Sequence, residues 1–517
     1  MNEQRNFTLE ICANTNAHTT FDELYDRTVC VAENLQKIGC KQGEVFIFYT
    51  NNTADIPAIV YAALCLGCPV TAYVTFASKR ENLHYLTVTK PNYVFCDSNI
   101  YEDLNECFQE LGNEPTFFTF DGQASGSVRS VDSLFQKVES SDSVSCFCPV
   151  ELDGTKEIAF IVPSSGSTGK NKGVLVSHAS ILDTVTRLSS FINASDVLLS
   201  LSDIYAITGV VSLMAGTING ATRVVNFGPF SPDRFFDVVE QINATVTIST
   251  AFPIKQILNH PRIETANLSS YKHYLCGGEK VSLDIIHKMN KFMTNGTFCH
   301  GYGMTETFMV ITANFRHQKN VSVGQLISGC EAIIVNDSGE RLGIGEVGNL
   351  CFKLTFPFSG YMGSTENAAD YFDHNGFFKT GDIARFDDNG DLFIVDRKKE
   401  MFKVGGWHVI PAEIEEFLNK IDGVKQSCLV ALPDPEYDFV PAAIIVKTNS
   451  AACTEQSIHD AVSNHFAYTK RLQGGVYFVD SLPMTATGKI ARRSVAEIAL
   501  DLVKNQKTDQ NRTLNAN

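Results

Sequence analysis

The run Ser164-Ser165-Gly166-Ser167-Thr168-Gly169-Lys170-Asn171-Lys172-Gly173 packs small residues, hydroxyls and two lysines into ten positions. Small residues let successive backbone N–H groups converge on anionic oxygens, while hydroxyls add donors and lysines add charge. That chemistry suits a phosphate. It is not a Walker A loop, which needs glycine five residues before its Gly-Lys pair and Ser or Thr after it; Ser164 and Asn171 stand there instead. A flexible Ser/Gly linker has the same composition. However, Ile158-Ala159-Phe160-Ile161-Val162 directly before it reads as a buried strand, which a linker does not require.

Three other patterns carry less. Gly343-Ile344-Gly345-Glu346-Val347-Gly348 fits a dinucleotide fingerprint, but strand-like runs at 332–335 and 350–354 flank it and no helix begins there to receive a pyrophosphate. It reads as a hairpin loop. Cys65-Leu66-Gly67-Cys68 is a lone C-x-x-C in an apolar segment, without a second pair at zinc spacing, and reads as packing. Cys299-His300 reads as the end of a strand rather than a metal site.

The chain that positions these residues has 517 of them, enough for more than one domain with a sizeable core. Hydrophobic residues at 44% and charged residues at 19% exclude a disordered chain. A net charge of −16 argues against a partner bound by general phosphate neutralisation, so no nucleic acid is expected. No basic segment followed by an apolar run opens the chain, and the apolar stretch 56–70 is too short and proline-interrupted to span a bilayer. With an ending LNAN that carries no SKL-type address, a cytoplasmic protein is expected.

Residues 45–49 and 94–96 repeat the strand signal, and 55–66 reads as a helix between them. Strands alternating with helices predict an α/β body of parallel-type sheets covered on both faces. The stretch 139–145 reads as a surface loop. A charged segment, Asp396-Arg397-Lys398-Lys399-Glu400, separates a strand at 392–395 from the pair Gly405-Gly406. Beyond it Pro411 opens a helix with Ile414 and Phe417 three apart. Residues 397–517 hold 15 basic and 14 acidic side chains, so the acidic excess lies upstream. The expected organisation is a body at 1–395, a hinge at 396–400, a small α+β lid at 401–503 and a polar tail at 504–517.

Five segments, in this order, resemble the signatures of adenylate-forming (AMP-binding) enzymes: acyl-CoA synthetases, 4-coumarate–CoA ligases and beetle luciferases. They are the run 164–173; Tyr302-Gly303-Met304-Thr305-Glu306-Thr307; Lys379-Thr380-Gly381-Asp382; Ile394-Val395-Asp396-Arg397-Lys398-Lys399; and Pro483-Met484-Thr485-Ala486-Thr487-Gly488-Lys489. The likeness spans about residues 20–493. It implies an ATP-dependent acid–thiol ligase that makes an acyl-adenylate from a fatty or aryl-propenoic acid, then a thioester with coenzyme A. Ser164, Ser165, Gly166, Ser167, Thr168, Gly169 and Lys172 would grip phosphate. Glu306 would bind Mg²⁺, Thr305 would contact phosphate, and Tyr302 with Gly303 would flank adenine. Asp382 and Arg397 would hold the ribose. Lys489 and Lys403 are the implied catalytic lysines, and Lys399 the pivot.

The departures are specific. Asn171 replaces a proline, Gly405 stands where many relatives have lysine, and His408 where they often have glutamine. Beetle luciferases carry His-His-Gly-Phe in the acyl pocket, whereas residues 202–209 here contain no histidine. That counts against the alternative of a luciferase-like oxygenase. Tyr205, Gly277 and Gly278 become the expected pocket walls, and Gly405 and Gly406 the border of the coenzyme A path. A non-catalytic acyl- or nucleotide-binding relative is the third reading. The retained Lys172, Glu306, Asp382, Arg397 and Lys489 count against it.

Overall fold

Runs of β-branched and aromatic residues, each too short for a helix, form the centres of two sheets. In the first, strands lie in the order Arg129–Ser130, Thr116–Thr119, Tyr93–Cys96, Phe46–Tyr49, Val70–Ala72, Ile158–Ser165 and Asn171–Ser177. All neighbours are parallel except the last pair. The second has nine strands, with a parallel centre of Thr8–Cys12, Thr222–Val225, Val197–Ser200, Val246–Ser249, His273–Cys276 and Thr297–Met304. Antiparallel strands flank it at both edges. The expected α/β body is therefore present, with antiparallel additions where the motifs lie.

The computed structural model describes residues 7–50, 54–121, 128–137, 147–165, 171–225, 228, 230–278, 280–314, 320–364, 368–397, 400–404, 407–434, 437–448, 453–466, 468–485 and 488–514. The loop expected at 139–145 lies outside them.

Helix boundaries follow local chemistry. Thr20 and Glu23 form a reciprocal capping box at the start of Phe21–Lys37, whose Leu24, Thr28, Val31 and Leu35 are buried. Helix Ile56–Cys65 carries proline in its first turn and is apolar almost all round, so it sits inside the core. Cys68 is buried, as the packing reading expects. Residues 343–347 connect strands Glu331–Val335 and Gly348–Lys353 with no helix between them, so the fingerprint there is spurious. Cys299 and His300 lie within strand Thr297–Met304 rather than at its end, and both are buried.

The chain divides into two compact units: Met1–Ala332 with Phe352–Phe378 and Asn389–Leu392, and Ile333–Cys351 with Lys379–Asp388 and Phe393–Asn517. The second unit thus takes in two stretches upstream of the boundary expected at residue 395. Both contribute to a four-stranded sheet in the order Glu331–Val335, Gly348–Lys353, Phe378–Phe386, Leu392–Arg397, most of whose residues belong to that unit. A five-stranded sheet follows, in which Asp438–Lys447 pairs with Val424–Asp434, Phe402–Val404 and Val476–Val479. Helix Pro411–Leu418 begins at the expected proline and buries Ile414. Helix Arg492–Leu514 runs through most of the segment expected as a polar tail. Lysine, glutamine and arginine propagate a helix that has already nucleated, so polarity alone did not end it.

One buried charge pair constrains the first unit. Glu10 and Arg223 face each other on adjacent strands at 2.9 Å, and both are buried. Burial raises the Glu10 carboxyl above its ordinary range, against the pull of Arg223. Gly216 makes room for the arginine stem, because a Cβ there would overlap Cγ and Cδ of Arg223. Gly216→Ala is therefore expected to destabilise the protein by about 1–3 kcal/mol through overpacking, or more if the ion pair breaks. Urea unfolding measures this, and an unchanged midpoint would mean the arginine stem slides aside.

Candidate active site

The phosphate-type run lies at the end of a hairpin. Ile158–Ser165 pairs antiparallel with Asn171–Ser177, with Ser164 opposite Lys172 and Ser165 opposite Asn171. The next helix, His178–Leu188, begins only after the second strand. Among the described residues no helix therefore starts directly after the first strand, and a helix dipole is not available at Ser164 and Ser165. Gly166, Ser167, Thr168 and Gly169 lie outside the described residues.

A third segment pairs with the second strand of the hairpin. Met362 N–H donates to Gly173 O at 2.7 Å and Leu175 N–H to Gly360 O at 3.0 Å, which sets Tyr361 opposite Val174. The Tyr361 ring lies 4.3 Å from Lys172 Nζ, a cation–π contact. Its hydroxyl donates to Glu306 Oε1 at 2.8 Å. Phe358 and Tyr371 pack edge-on against the ring, with centroids at 4.8 and 5.4 Å, and so fix its plane. Lys172 and Glu306, 134 positions apart in sequence, thus converge on one side chain.

Glu306 is presented by a tight turn. Strand Thr297–Met304 carries Tyr302 and Gly303, with a bulge between them, and passes into the 3₁₀ turn Thr305–Thr307. Thr307 Oγ1 donates to Met304 O at 2.7 Å, and Phe308 N–H to Thr305 O at 3.0 Å, closing the turn over Thr305 and Glu306. Gly277 follows the neighbouring strand, where a Cβ would come 3.2 Å from Gly301 O. Gly277 therefore lies beside the Tyr302 segment, followed by Gly278 at φ +84°. Tyr205 is half-buried against the apolar clusters of the first unit, and burial pushes its hydroxyl up, with Asp203 adding to the effect.

In the second unit, Asp382 is buried and Arg397 Nε approaches its Oδ1 at 3.3 Å. Asp382 N–H donates to Thr380 Oγ1 at 2.9 Å, and Gly381 has φ +75°, so Thr-Gly-Asp is a local irregularity within strand Phe378–Phe386 that sets the backbone at Asp382. Asp396 accepts from Arg397 N–H at 2.7 Å and Ala412 N–H at 3.2 Å, joining a strand end to a helix start. Burial raises its carboxyl above the usual range, against these two donors. Lys489 closes a turn in which its N–H donates to Thr485 Oγ1 at 3.1 Å, with Gly488 at φ +81°. Lys403 lies opposite His408 in an antiparallel pair of strands. Lys399, Gly405 and Gly406 lie outside the described residues.

Sequence reading missed Tyr361 and the bracket made by Asp396. Asp396 stood inside a quoted motif, whereas Tyr361 had only a preceding glycine and aromatic neighbours to distinguish it.

Comparison of the sequence with known families places the chain in a defined class. The chain belongs to the AMP-binding enzyme family, whose model matches residues 3–362, and the model of that family's C-terminal domain matches residues 413–489. It is 27% identical to luciferin 4-monooxygenase of Photinus pyralis over 96% of this chain and 92% of that protein. It is also 27% identical to the probable 4-coumarate–CoA ligase 1 of Dictyostelium discoideum, over 90% of this chain and 88% of that protein. Among solved structures, ATP-bound MatB from Rhodopseudomonas palustris superposes with a TM-score of 0.86, at 23% identity and 97% coverage of both chains, a likeness of fold.

Tyr361→Phe keeps the ring under Lys172, so nucleotide affinity is expected to change by less than about threefold. Tyr361→Ala removes both contacts and lets Lys172 and Glu306 neutralise each other, weakening nucleotide binding about tenfold. Titration with a fluorescent ATP analogue compares them. Equal affinities in all three proteins would refute the spacer role of the ring.

Proposed function

We propose that this protein is an ATP-dependent acid–thiol ligase, which forms an acyl-adenylate and pyrophosphate and then passes the acyl group to coenzyme A. The observation that carries this reading is the Lys172–Tyr361–Glu306 cluster beside the phosphate-type hairpin. Attack of a carboxylate on the α-phosphorus of ATP brings two anions together, so the site must offset negative charge and align the attack. Lys172 and the hairpin N–H groups would supply the positive side, with Thr305 a further donor. Tyr302 and Gly303 would border the adenine. The Asp382 carboxylate can accept from both ribose hydroxyls while Arg397 holds its other side.

Magnesium fits the residues present. Glu306 offers a hard carboxylate on the same turn as the Thr305 hydroxyl, and magnesium usually takes one or two protein carboxylates while substrate phosphates and waters fill its remaining positions. When bound there it would neutralise phosphate charge. The Tyr361 hydroxyl holds one Glu306 oxygen, which leaves the carboxylate oriented through its other oxygen.

A fatty or aryl-propenoic acid is the proposed substrate, on the strength of the relatives' names, with Tyr205, Gly277 and Gly278 as pocket walls. The hinge at 396–400 with Lys399 as pivot, the catalytic roles of Lys489 and Lys403, and the coenzyme A path past Gly405 and Gly406 belong to the same proposal. A cytoplasmic setting belongs to that proposal too. Among the described residues no helix is long and apolar enough to cross a membrane. The likeness to luciferases favours a second reading, an oxygenase acting on an acyl-adenylate. Light output with luciferin, ATP and oxygen distinguishes it.

Acid-dependent ATP–pyrophosphate exchange over a panel of carboxylic acids tests the ligase reading, and no exchange with any acid would refute adenylation. Lys489→Ala is expected to slow adenylation by about 10²–10³ with little change in ATP affinity, because a lysine acting on transition-state charge affects kcat. Pyrophosphate release measures it, and a raised KM at unchanged kcat would contradict the role. Gly405→Leu is expected to keep exchange but lose thioester formation. Loss of both activities in a folded variant would remove Gly405 from the thiol path.

A further inference from the structure

The proposed reaction uses none of the cysteines, yet two of them are placed together. Cys40 Sγ and Cys68 Sγ lie 3.6 Å apart although 28 residues separate them in sequence. Each follows a helix end. Cys40 N–H donates to Leu35 O at 3.0 Å after helix Phe21–Lys37, and Cys68 N–H to Ala63 O at 2.9 Å after helix Ile56–Cys65. Gly43 N–H donates to Gly67 O at 2.9 Å and Phe46 N–H to Pro69 O at 2.9 Å, so the two turns are held side by side by backbone. Gly67 has φ +69°, and a Cβ there would press on Gln42, Val150 and Leu152. These turns have little room to separate.

The two sulfurs differ in surroundings. Cys68 is 1% exposed and its thiol can donate to Lys41 O at 3.2 Å, whereas Cys40 is partly exposed. Glu44 and Tyr93 face the pair. When Cys40 donates to Cys68, the shared hydrogen bond lowers the Cys68 thiol and raises Cys40, with burial opposing ionisation of both. One thiolate is therefore favoured in the pair over two. A cysteine that merely fills space needs neither a second sulfur within reach nor such polar neighbours.

We propose that Cys40 and Cys68 are an oxidative modification site, a thiol pair that hydrogen peroxide closes to a disulfide. One sulfur, as thiolate, attacks a peroxide oxygen; the O–O bond breaks, and a sulfenic acid and hydroxide result, the hydroxide taking the first thiol proton to become water. The second sulfur attacks the sulfenic sulfur, the S–S bond forms, and the sulfenic oxygen leaves as a second water with the second thiol proton. Two thiols and one peroxide thus give one disulfide and two waters, the sulfurs losing the two electrons that the peroxide gains. Closure needs the sulfurs to move from 3.6 Å to about 2.05 Å. The bond would enclose residues 41–67, including strand Phe46–Tyr49 at the centre of the first sheet, and so brace that sheet by restricting the unfolded chain.

The test uses the full-length protein, reduced, desalted and treated with stoichiometric hydrogen peroxide. Peptide mass spectrometry is expected to find the Cys40 and Cys68 peptides joined with loss of two hydrogens. The thermal midpoint should rise by several degrees and return on adding dithiothreitol. Cys40→Ser and Cys68→Ser should each abolish the link and the rise, and the surviving cysteine should then be trapped by dimedone as a sulfenic acid. The proposal is overturned if other cysteines oxidise at that dose while this pair stays unlinked. It is equally overturned if the link forms no faster in the folded protein than in urea. The wild-type mass measurement decides the matter even if a serine variant fails to fold.

Discussion

A single aromatic ring keeps a cation and an anion close without letting them cancel. Tyr361 takes the Lys172 ammonium on its face and offers its hydroxyl to Glu306, so both charges are held but neither is consumed by the other. A direct ion pair at this spot would bring the two opposite charges into contact, which the intervening ring avoids. Three local elements of the first unit set that spacing. The hairpin fixes Lys172, the 3₁₀ turn fixes Glu306, and Phe358 with Tyr371 fix the ring between them.

The second unit solves a different problem by similar local means. Asp382 is a buried carboxylate: the Thr380 hydroxyl and the positive-φ Gly381 set its backbone, and the Arg397 guanidinium approaches its carboxylate. Deeper in the same unit, Arg492 bridges Glu415 and donates to Leu429 O at 2.6 Å, tying helix Arg492–Leu514 to helix Pro411–Leu418 and the five-stranded sheet. Its guanidinium also approaches Glu400 at 3.3 Å, so these contacts assign it to holding the unit together.

Much of this was legible in the sequence, for identifiable reasons. Thr380-Gly381-Asp382 carries a local hydrogen bond and a positive-φ glycine set within three residues, and the strands at 46–49, 93–96 and 158–162 announce themselves by β-branched and aromatic runs. Tyr361 was not legible, because its role depends on an antiparallel pairing with residues nearly two hundred positions earlier. No local period encodes such a partner. The Cys40–Cys68 proximity escaped for the same reason, since Cys65-Leu66-Gly67-Cys68 drew attention to the wrong pair of sulfurs. The continuation of the last helix was misjudged because polarity says where a helix faces, not where it stops.

Strand Asn171–Ser177 is the outermost of the first sheet, and Val174 and Val176 on it are buried. Left bare, such an edge presents unpaired backbone groups beside β-branched side chains, a template for another chain's strand. Residues Gly360 to Met362 lie along part of it through the bonds to Gly173 and Leu175. The segment that delivers Tyr361 to the charged cluster therefore also satisfies backbone groups on part of that edge. The same three residues thus cover part of a sheet edge and carry the aromatic ring between Lys172 and Glu306.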